Sequence, residues 1–313
     1  MSIVIKPQLC TSVRKVADIK GNPDDYLHEL KYDGFRLTAY IYGNGDIELL
    51  SRTGKGQEGK LLHIEEELRE LTTVSNGNVT IFDGEIVAMN TLDTDAYYIE
   101  NDFSYVQSVM NSKPPRGMRI QEENSRYLQF VVFDLLYDDG TSILNKTTLE
   151  RRILLETTYF ALEDGEHIRF GSWEMGASQA LHDCFVAKGL EGSILKHKDS
   201  KHVEGRNKQW YKIKYDPDVD VVIMGFTEGQ GKYTGMAGAI VFGQFDEKGK
   251  LVERGQCSGM TDELREKLDE SYIGRVMTIR HNGVMEGGVR FRHPRFKHLR
   301  SDKSATECTW NNG

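Results

Sequence analysis

The sequence predicts an α+β protein in two parts: antiparallel sheets carrying a few helices, followed by a small β-barrel. Three observations point there. Short apolar runs of strand length, several with period-two alternation, outnumber the segments with helical spacing. Glycine-rich turn clusters separate them, the clearest being Gly43-Asn44-Gly45-Asp46. At Asp216-Pro217-Asp218 the pattern breaks, and the 313-residue chain has a length that suits two domains of about 150 residues each. The expected parts are residues 1–216 and 217–313.

Along the chain, strands are expected at Tyr26–Leu30, Phe35–Tyr42 and Ile47–Leu50, the last two joined by the glycine-rich turn. Leu61, Leu62, Ile64, Leu68 and Leu71 recur at helical spacing and predict a helix. Strands follow at Val79–Phe82 and Glu85–Met89, with Gly84 in the hairpin between them, and then at Tyr127–Leu136. Leu149–Thr157 and Ser178–Lys188 read as helices, and Gly189 is placed to end the second. Strands resume at Ser193–His197 and Gln209–Tyr215. Beyond the linker come strands at Val219–Phe226, Ala239–Phe245, Lys250–Gln256 and Val276–His281, with a short helix over Thr261–Leu268 capped by Thr261. A handful of strands and one short helix in a segment of this size suit an OB-fold barrel.

Hydrophobic residues make up 38% of the chain, enough for real cores and against a disordered chain. The longest apolar runs, such as Phe130–Phe133 and Val219–Phe226, are strand-length and far short of the ~20 residues of a membrane span. The opening Met1-Ser2-Ile3-Val4-Ile5-Lys6 is too short an apolar stretch for a signal peptide. Cys10, Cys184, Cys257 and Cys308 form no C-x-x-C pair, which speaks against a zinc ribbon and for free thiols in a reducing cytoplasm. The net charge of −8 conceals an asymmetry. Residues 81–110 hold six acids and no Lys or Arg, whereas 190–215 carry seven bases against three acids and 275–303 eight against two. Such a chain can repel polyanions on one face and hold them on another.

The sharpest motif is Lys31-Tyr32-Asp33-Gly34-Phe35-Arg36, a K-x-D-G-x-R pattern at an expected strand–turn–strand. Its ordinary reading is a β-turn flanked by surface bases. Its chemical reading is a lysine nucleophile, which attacks only as the neutral amine and needs a desolvated or cationic neighbourhood. Further on come Phe82-Asp83-Gly84-Glu85, Phe130-Val131-Val132-Phe133-Asp134, Glu191-Gly192-Ser193-Ile194-Leu195-Lys196 and Trp210-Tyr211-Lys212-Ile213-Lys214. Strand alternation puts Lys212 and Lys214 on one face. Paired lysines neutralise a polyphosphate, and paired carboxylates suit Mg²⁺, a hard cation. The last basic run, from Arg290-Phe291-Arg292-His293-Pro294-Arg295-Phe296 to Arg300-Ser301-Asp302-Lys303, belongs to the expected barrel.

In this order the motifs resemble the covalent nucleotidyltransferase superfamily of ATP-dependent DNA ligases and mRNA capping enzymes. The final run resembles the last motif of compact bacterial ligase modules, and the tail after Lys303 lacks the Pro-Asn usual in capping enzymes. The resemblance spans nearly the whole chain. It implies a nucleotidyltransferase domain of ATP-grasp-like antiparallel sheets with helices, joined to the OB-fold. It implies that Lys31 forms a phosphoramidate with a nucleoside monophosphate, with Asp33 and Arg36 as its catalytic companions. Glu29 then reads the purine amino group, Phe133 stacks on the base, and Lys196 lies in the cofactor pocket. Glu85 serves the ribose or a metal, Glu191 is a metal carboxylate, and Lys212 and Lys214 grip the α-phosphate. Arg52 contacts nucleic-acid phosphate, with Arg206, Arg295 and Arg300 as further DNA contacts, and Lys303 reaches the β- and γ-phosphates.

The expected protein is a minimal ATP-dependent DNA ligase that uses ATP and Mg²⁺, with Mn²⁺ able to substitute, and seals nicked duplex DNA. It is expected to be a monomer without membrane association, cytoplasmic in a bacterium or in a virus-infected host cell. Only 30 residues precede Lys31, which leaves no room for a larger N-terminal DNA-binding domain, so duplex grip is expected from basic surface. Two alternatives stay open: an mRNA capping guanylyltransferase or RNA ligase, and a non-catalytic OB-fold nucleic-acid-binding protein.

Overall fold

Apolar alternation and turn chemistry build most of the chain into strands. The computed structural model describes residues 5–71, 78–88, 102–285 and 287–310. The chain divides into two compact units, Met1–Lys214 and Tyr215–Gly313. In chain order the first runs through β1 (Gln8–Val13), β2 (Tyr26–Leu30), β3 (Phe35–Tyr42), β4 (Ile47–Ser51), α1 (Leu62–Glu70) and β5 (Val79–Val87). It continues with α2 (Phe103–Met110), α3 (Pro114–Glu123), β6 (Gln129–Asp138), β7 (Thr141–Ser142), α4 (Thr148–Thr158) and β8 (Ile168–Phe170). β9 (Trp173–Met175), α5 (Gln179–Ala187), β10 (Gly192–His197) and β11 (Gly205–Lys214) complete it. One sheet has the order β1-β11-β10-β2-β9; the other has β4-β3-β5-β6-β7, with β8 parallel to β6. The largest core packs Leu37, Phe82, Phe130 and Leu135 of that second sheet against Ile64 and Leu68 of α1, Val106 of α2 and Leu155 of α4.

Three differences from the sequence reading matter for the site. β5 is one continuous strand, where two strands and a hairpin were expected. Pairing with β3 on one side and β6 on the other overrides the turn preference of Asp83-Gly84, and a bulge toward β6 absorbs it. Met89, the expected end of that strand, lies outside the described residues. β1 was not expected because Gln8-Leu9-Cys10-Thr11-Ser12-Val13 has little alternation; it forms by pairing in parallel with β11. α2 and α3 also lacked a signal, although Asp102 caps α2 through the Tyr105 N–H and Pro114 opens α3.

The second unit comprises β12 (Asp218–Glu228), β13 (Ala237–Phe245), β14 (Leu251–Cys257), α6 (Asp262–Lys267), β15 (Val276–Arg280) and β16 (Arg295–Arg300). The strand order is β14-β13-β12-β15-β16, and a bridge from Ser258 to Arg295 joins the two edges, as a barrel requires. Val221, Ile223, Ile240, Phe242, Met277 and Ile279 fill it. Thr261 caps α6 by accepting from the Leu264 N–H. Asp218 belongs to β12, held by a bidentate contact from Arg280 at 2.7 and 2.9 Å, so the break in pattern is shorter than the Asp-Pro-Asp stretch. No helix among the described residues is long and apolar enough to cross a membrane.

Candidate active site

Two sheets of the first unit face one cavity. β1, β2, β10 and β11 bring Cys10, Glu29, Lys196, Trp210 and Lys212 to it, and β3, β5 and β6 bring Arg36, Glu85 and Phe133. Lys31 follows β2 directly. Because β2 pairs with β10, Glu29 opposite Ile194, the K-x-D-G and E-G-x-x-x-K segments become neighbours, and the Lys31 N–H donates to the Gly192 carbonyl at 2.9 Å. Gly192 has φ +135°, and a Cβ there would collide with the Ile213 carbonyl, so only glycine lets this strand enter the sheet with Glu191 aimed at Lys31. Gly34 is equally constrained, since a Cβ would collide with the Ile86 carbonyl and Glu85.

The nucleophile candidate is held by carboxylates. The Lys31 ammonium contacts one oxygen of Glu191, and Lys214 takes the other at 2.8 Å. Burial pulls Lys31 toward the neutral amine, but Glu191, Glu85 and Asp33 outweigh it and hold its pKa above the ordinary lysine value. Glu191 is lowered: burial opposes its charge, and Lys31 and Lys214 prevail. Burial pushes Glu85 up to about 7, with Glu191 and Asp83 adding to it against Lys31 and Arg36. Lys212 is lowered by burial and then by Lys214 and Lys31, and it makes no ion pair among the described residues. It is a cation in the cavity wall without an anion.

At another wall the polar chemistry is incomplete in an informative way. Lys196 Nζ lies 2.6 Å from Glu29 Oε2, with the rings of Phe133 and Trp210 at 4.3 and 4.5 Å. Both charged side chains are almost fully buried. Glu29 Oε1 is buried with no hydrogen-bond partner. A buried acceptor left unpaired is costly, so this oxygen marks where a donor belongs. Phe133 has the Arg36 guanidinium 4.5 Å from its centroid, and Arg36 is itself fixed on Asp83 at 2.7 and 2.6 Å. Behind Phe133, Asp134 and Arg151 form a fully buried bidentate pair at 2.8 Å that pins β6 to α4.

The expected residues thus fall into three sets. Glu29, Lys31, Arg36, Glu85, Phe133, Lys196 and Lys212 line the cavity together, with Arg52 and Arg206 also in its wall. Asp33 and Glu191 act on Lys31, and Lys214 on Glu191, without lining it. Arg295, Arg300 and Lys303 lie in the second unit, each against a carboxylate: Asp216 at 3.1 Å, Asp302 at 2.7 Å and Asp220 at 2.8 Å. Trp210 and Cys10 were not singled out as site residues. Alternation from Lys212 would have found Trp210; Cys10 sits on the unexpected β1, its thiol pushed up by burial.

Among the described residues no group of three or more His, Cys, Asp or Glu forms a ready-made metal cage. Glu85 and Glu191 nevertheless act on one another and on Lys31. Two carboxylates beside a cavity walled by Lys31, Arg36, Lys196 and Lys212 fit Mg²⁺ or Mn²⁺, which take one or two carboxylates and complete their shell with water and substrate phosphates.

The fold is that of a nucleotidyltransferase domain followed along the chain by an OB-like barrel. Residues 7–214 match the family model of the ATP dependent DNA ligase domain, and residues 228–300 that of the DNA ligase OB-like domain. The chain belongs to the ATP-dependent DNA ligase family. It is 28% identical to the multifunctional non-homologous end joining protein LigD of Pseudomonas aeruginosa, over 91% of this chain and 34% of that protein. It is also 28% identical to a DNA ligase of Thermococcus fumicolans, over 97% of this chain and 57% of the relative. It therefore spans about a third to somewhat over half of the length of these relatives. Among solved structures, one from a study of Lig E DNA ligases matches with TM-score 0.64 and 20% identity, covering 95% of this chain and all of the other. The ligase domain of LigD from M. tuberculosis matches with TM-score 0.54 and 23% identity, covering 97% of each. At such identities these likenesses show the fold.

Proposed function

We propose that this chain is an ATP-dependent DNA ligase whose first unit carries out adenylation. The observation that carries the reading is one cavity holding Lys31, the unpaired cation Lys212, the orphaned Glu29 Oε1 and the ring of Phe133. Lys31 attacks the α-phosphorus of ATP, a phosphoramidate forms, and pyrophosphate leaves. AMP then passes from Lys31 to the 5′-phosphate of a nick, and the 3′-hydroxyl displaces it to close the strand. The chemistry is carried by positioning and charge rather than by groups on the protein that change covalently beyond Lys31.

Each residue has a task in that scheme. Glu29 Oε1 accepts from the exocyclic amino group of adenine, which a 6-oxo purine cannot offer, and Phe133 supplies the stacking face. Lys212 meets the α-phosphate; Lys214, tied to Glu191, adds its charge nearby. Held against Glu191, Lys31 is an ammonium, so attack requires it to give up that contact and a proton. Glu85 and Glu191 would hold Mg²⁺, which supplies charge neutralisation to the phosphates when bound. Lys303 meets the β- and γ-phosphates during adenylation, and Arg52, Arg206, Arg295 and Arg300 contact DNA phosphates. Sealing of a nicked duplex with ATP, GTP or NAD supplied separately tests the reading. ATP alone is expected to support joining. GTP-dependent labelling of the protein would point to a guanylyltransferase, and no adduct with any nucleotide would leave a binding protein.

A further inference from the structure

Behind the cavity wall lies a buried polar row that the adenylation scheme does not use. Glu29, Ile194 and Lys196 line the cavity. Strand alternation therefore sends their neighbours His28 and Ser193 to the opposite face of β2 and β10, where α5 packs. There His28 Nε2 lies 2.7 Å from Ser193 Oγ, and His182 Nδ1, from the middle of α5, lies 3.0 Å from the same hydroxyl. The backbone N–H of Ser178, the N-cap of α5, donates to His28 Nδ1 at 3.2 Å. His28, Ser193 and His182 are all buried.

The protons of this row can be placed in one way. Because His28 Nδ1 accepts from the backbone, its proton sits on Nε2 and is donated to Ser193 Oγ. The hydroxyl then donates its own proton to His182 Nδ1. Each group from the Ser178 N–H to His182 Nδ1 thus has a partner. Burial lowers His28 to about 4, with His182 adding to the effect, and lowers His182 against the pull of Asp183. Both rings are therefore neutral, as the row requires. Buried polar groups are costly unless paired, and a fully paired row holds its elements in a single arrangement. Phe185 of α5 adds an edge-on contact to the His28 ring, with centroids 5.7 Å apart.

That arrangement bears on Glu191. Only Lys188, Gly189, Leu190 and Glu191 stand between the end of α5 and the start of β10. The row grips this segment from both sides, through His182 on α5 and through Ser193, two residues past Glu191. Both grips end on His28 of β2, the strand that Lys31 follows directly. Apolar packing runs the same way: Phe185 and Leu190 cluster with Leu30, and Tyr32 packs against them. We propose that His28, Ser193 and His182 are positioning residues for adenylation, clipping α5 and β10 to β2 so that Glu191 meets Lys31 and Lys214. The inference rests on the adenylation reading and adds to it three residues that lie outside the cavity.

The test uses the full chain and α-³²P ATP, and reads the rate of adduct formation in a single turnover over a series of ATP concentrations. Ser193→Ala should slow the adduct-forming step on the order of tenfold, while the ATP concentration at half-maximal rate moves less than about twofold, because the clip touches no nucleotide. His182→Leu offers no acceptor and should behave alike. His182→Asn, whose Oδ1 can stand in for Nδ1, should keep a rate within about twofold of the parent. A double-mutant cycle shows whether the effect travels through Glu191: added to Glu191→Ala, Ser193→Ala should change the rate by less than about twofold. Parent-like rates in Ser193→Ala and His182→Leu would overturn the clip. A further loss of about tenfold on top of Glu191→Ala would overturn it too, leaving the row a stabiliser of the fold alone. If Ser193→Ala does not fold, equal rates in His182→Leu and His182→Asn would overturn the proposal by themselves. A parent chain that forms no adduct with ATP would instead overturn the adenylation reading.

Discussion

At the scale of single residues the chemistry turns on what Lys31 touches. Lys31→Ala should abolish the covalent nucleotide adduct, and Lys31→Arg should fail as well, because a guanidinium stays protonated. Labelling with α-³²P ATP reads both. Glu85→Ala and Glu191→Ala should each cut adenylation on the order of a hundredfold, as loss of a fixed electrostatic partner does, while shifting Tm little. Near-normal turnover in both would remove their charge from the chemistry. Much of this cavity was legible in the sequence: the family resemblance carried by K-x-D-G-x-R, E-G-x-x-x-K and W-x-K-x-K implied most of its residues, and strand alternation puts Trp210, Lys212 and Lys214 on one face. The Lys196–Glu29 pair and the orphaned Glu29 Oε1 were not legible, since they depend on the register of β2 against β10, which no local pattern states.

At the scale of elements, the buried Asp134–Arg151 pair sets β6 against α4 and so presents Phe133. Arg151→Met leaves Asp134 buried without its partner, and unfolding by urea should show a loss of about 3–5 kcal/mol. His28, which is buried, and His63, which is half-buried, give a pH signature. Burial lowers His28 and His63 from 6.5 to about 4, with His182 adding to the effect on His28 and His167 to that on His63. The unfolded chain therefore binds more protons than the fold between about pH 6.5 and 4, so stability is complete above that window and falls as pH drops through it. The urea midpoint measured from pH 8 to 4.5 should decline below about 6.5. A flat profile would place both imidazoles in contact with water. Element type was readable where alternation or 3.6-residue spacing ran long, as in β3, β6 and α4. It was not readable in β1, which exists through its pairing with β11, nor in β5, where two neighbouring strands straighten an Asp-Gly that locally favours a turn.

At the scale of the whole molecule, the two units divide the labour proposed here: the first forms the adduct, and the second lends Lys303 to the polyphosphate. Lys303 rests on Asp220, which also receives Arg300 at 3.2 Å and Thr278 at 2.6 Å, so its ammonium has a fixed perch within the barrel. Lys303→Ala should lose self-adenylation steeply yet still seal a pre-adenylated nick; the reverse pattern would make Lys303 a DNA-phosphate contact. The most direct test of the central claim is peptide mass mapping after incubation with ATP and Mg²⁺. A single AMP carried by the peptide containing Lys31, through the alkali-stable and acid-labile linkage of a phosphoramidate, is the predicted result, with the adduct discharged by nicked DNA. An AMP on another lysine, or an adduct at Lys31 that nicked DNA never discharges, would contradict it.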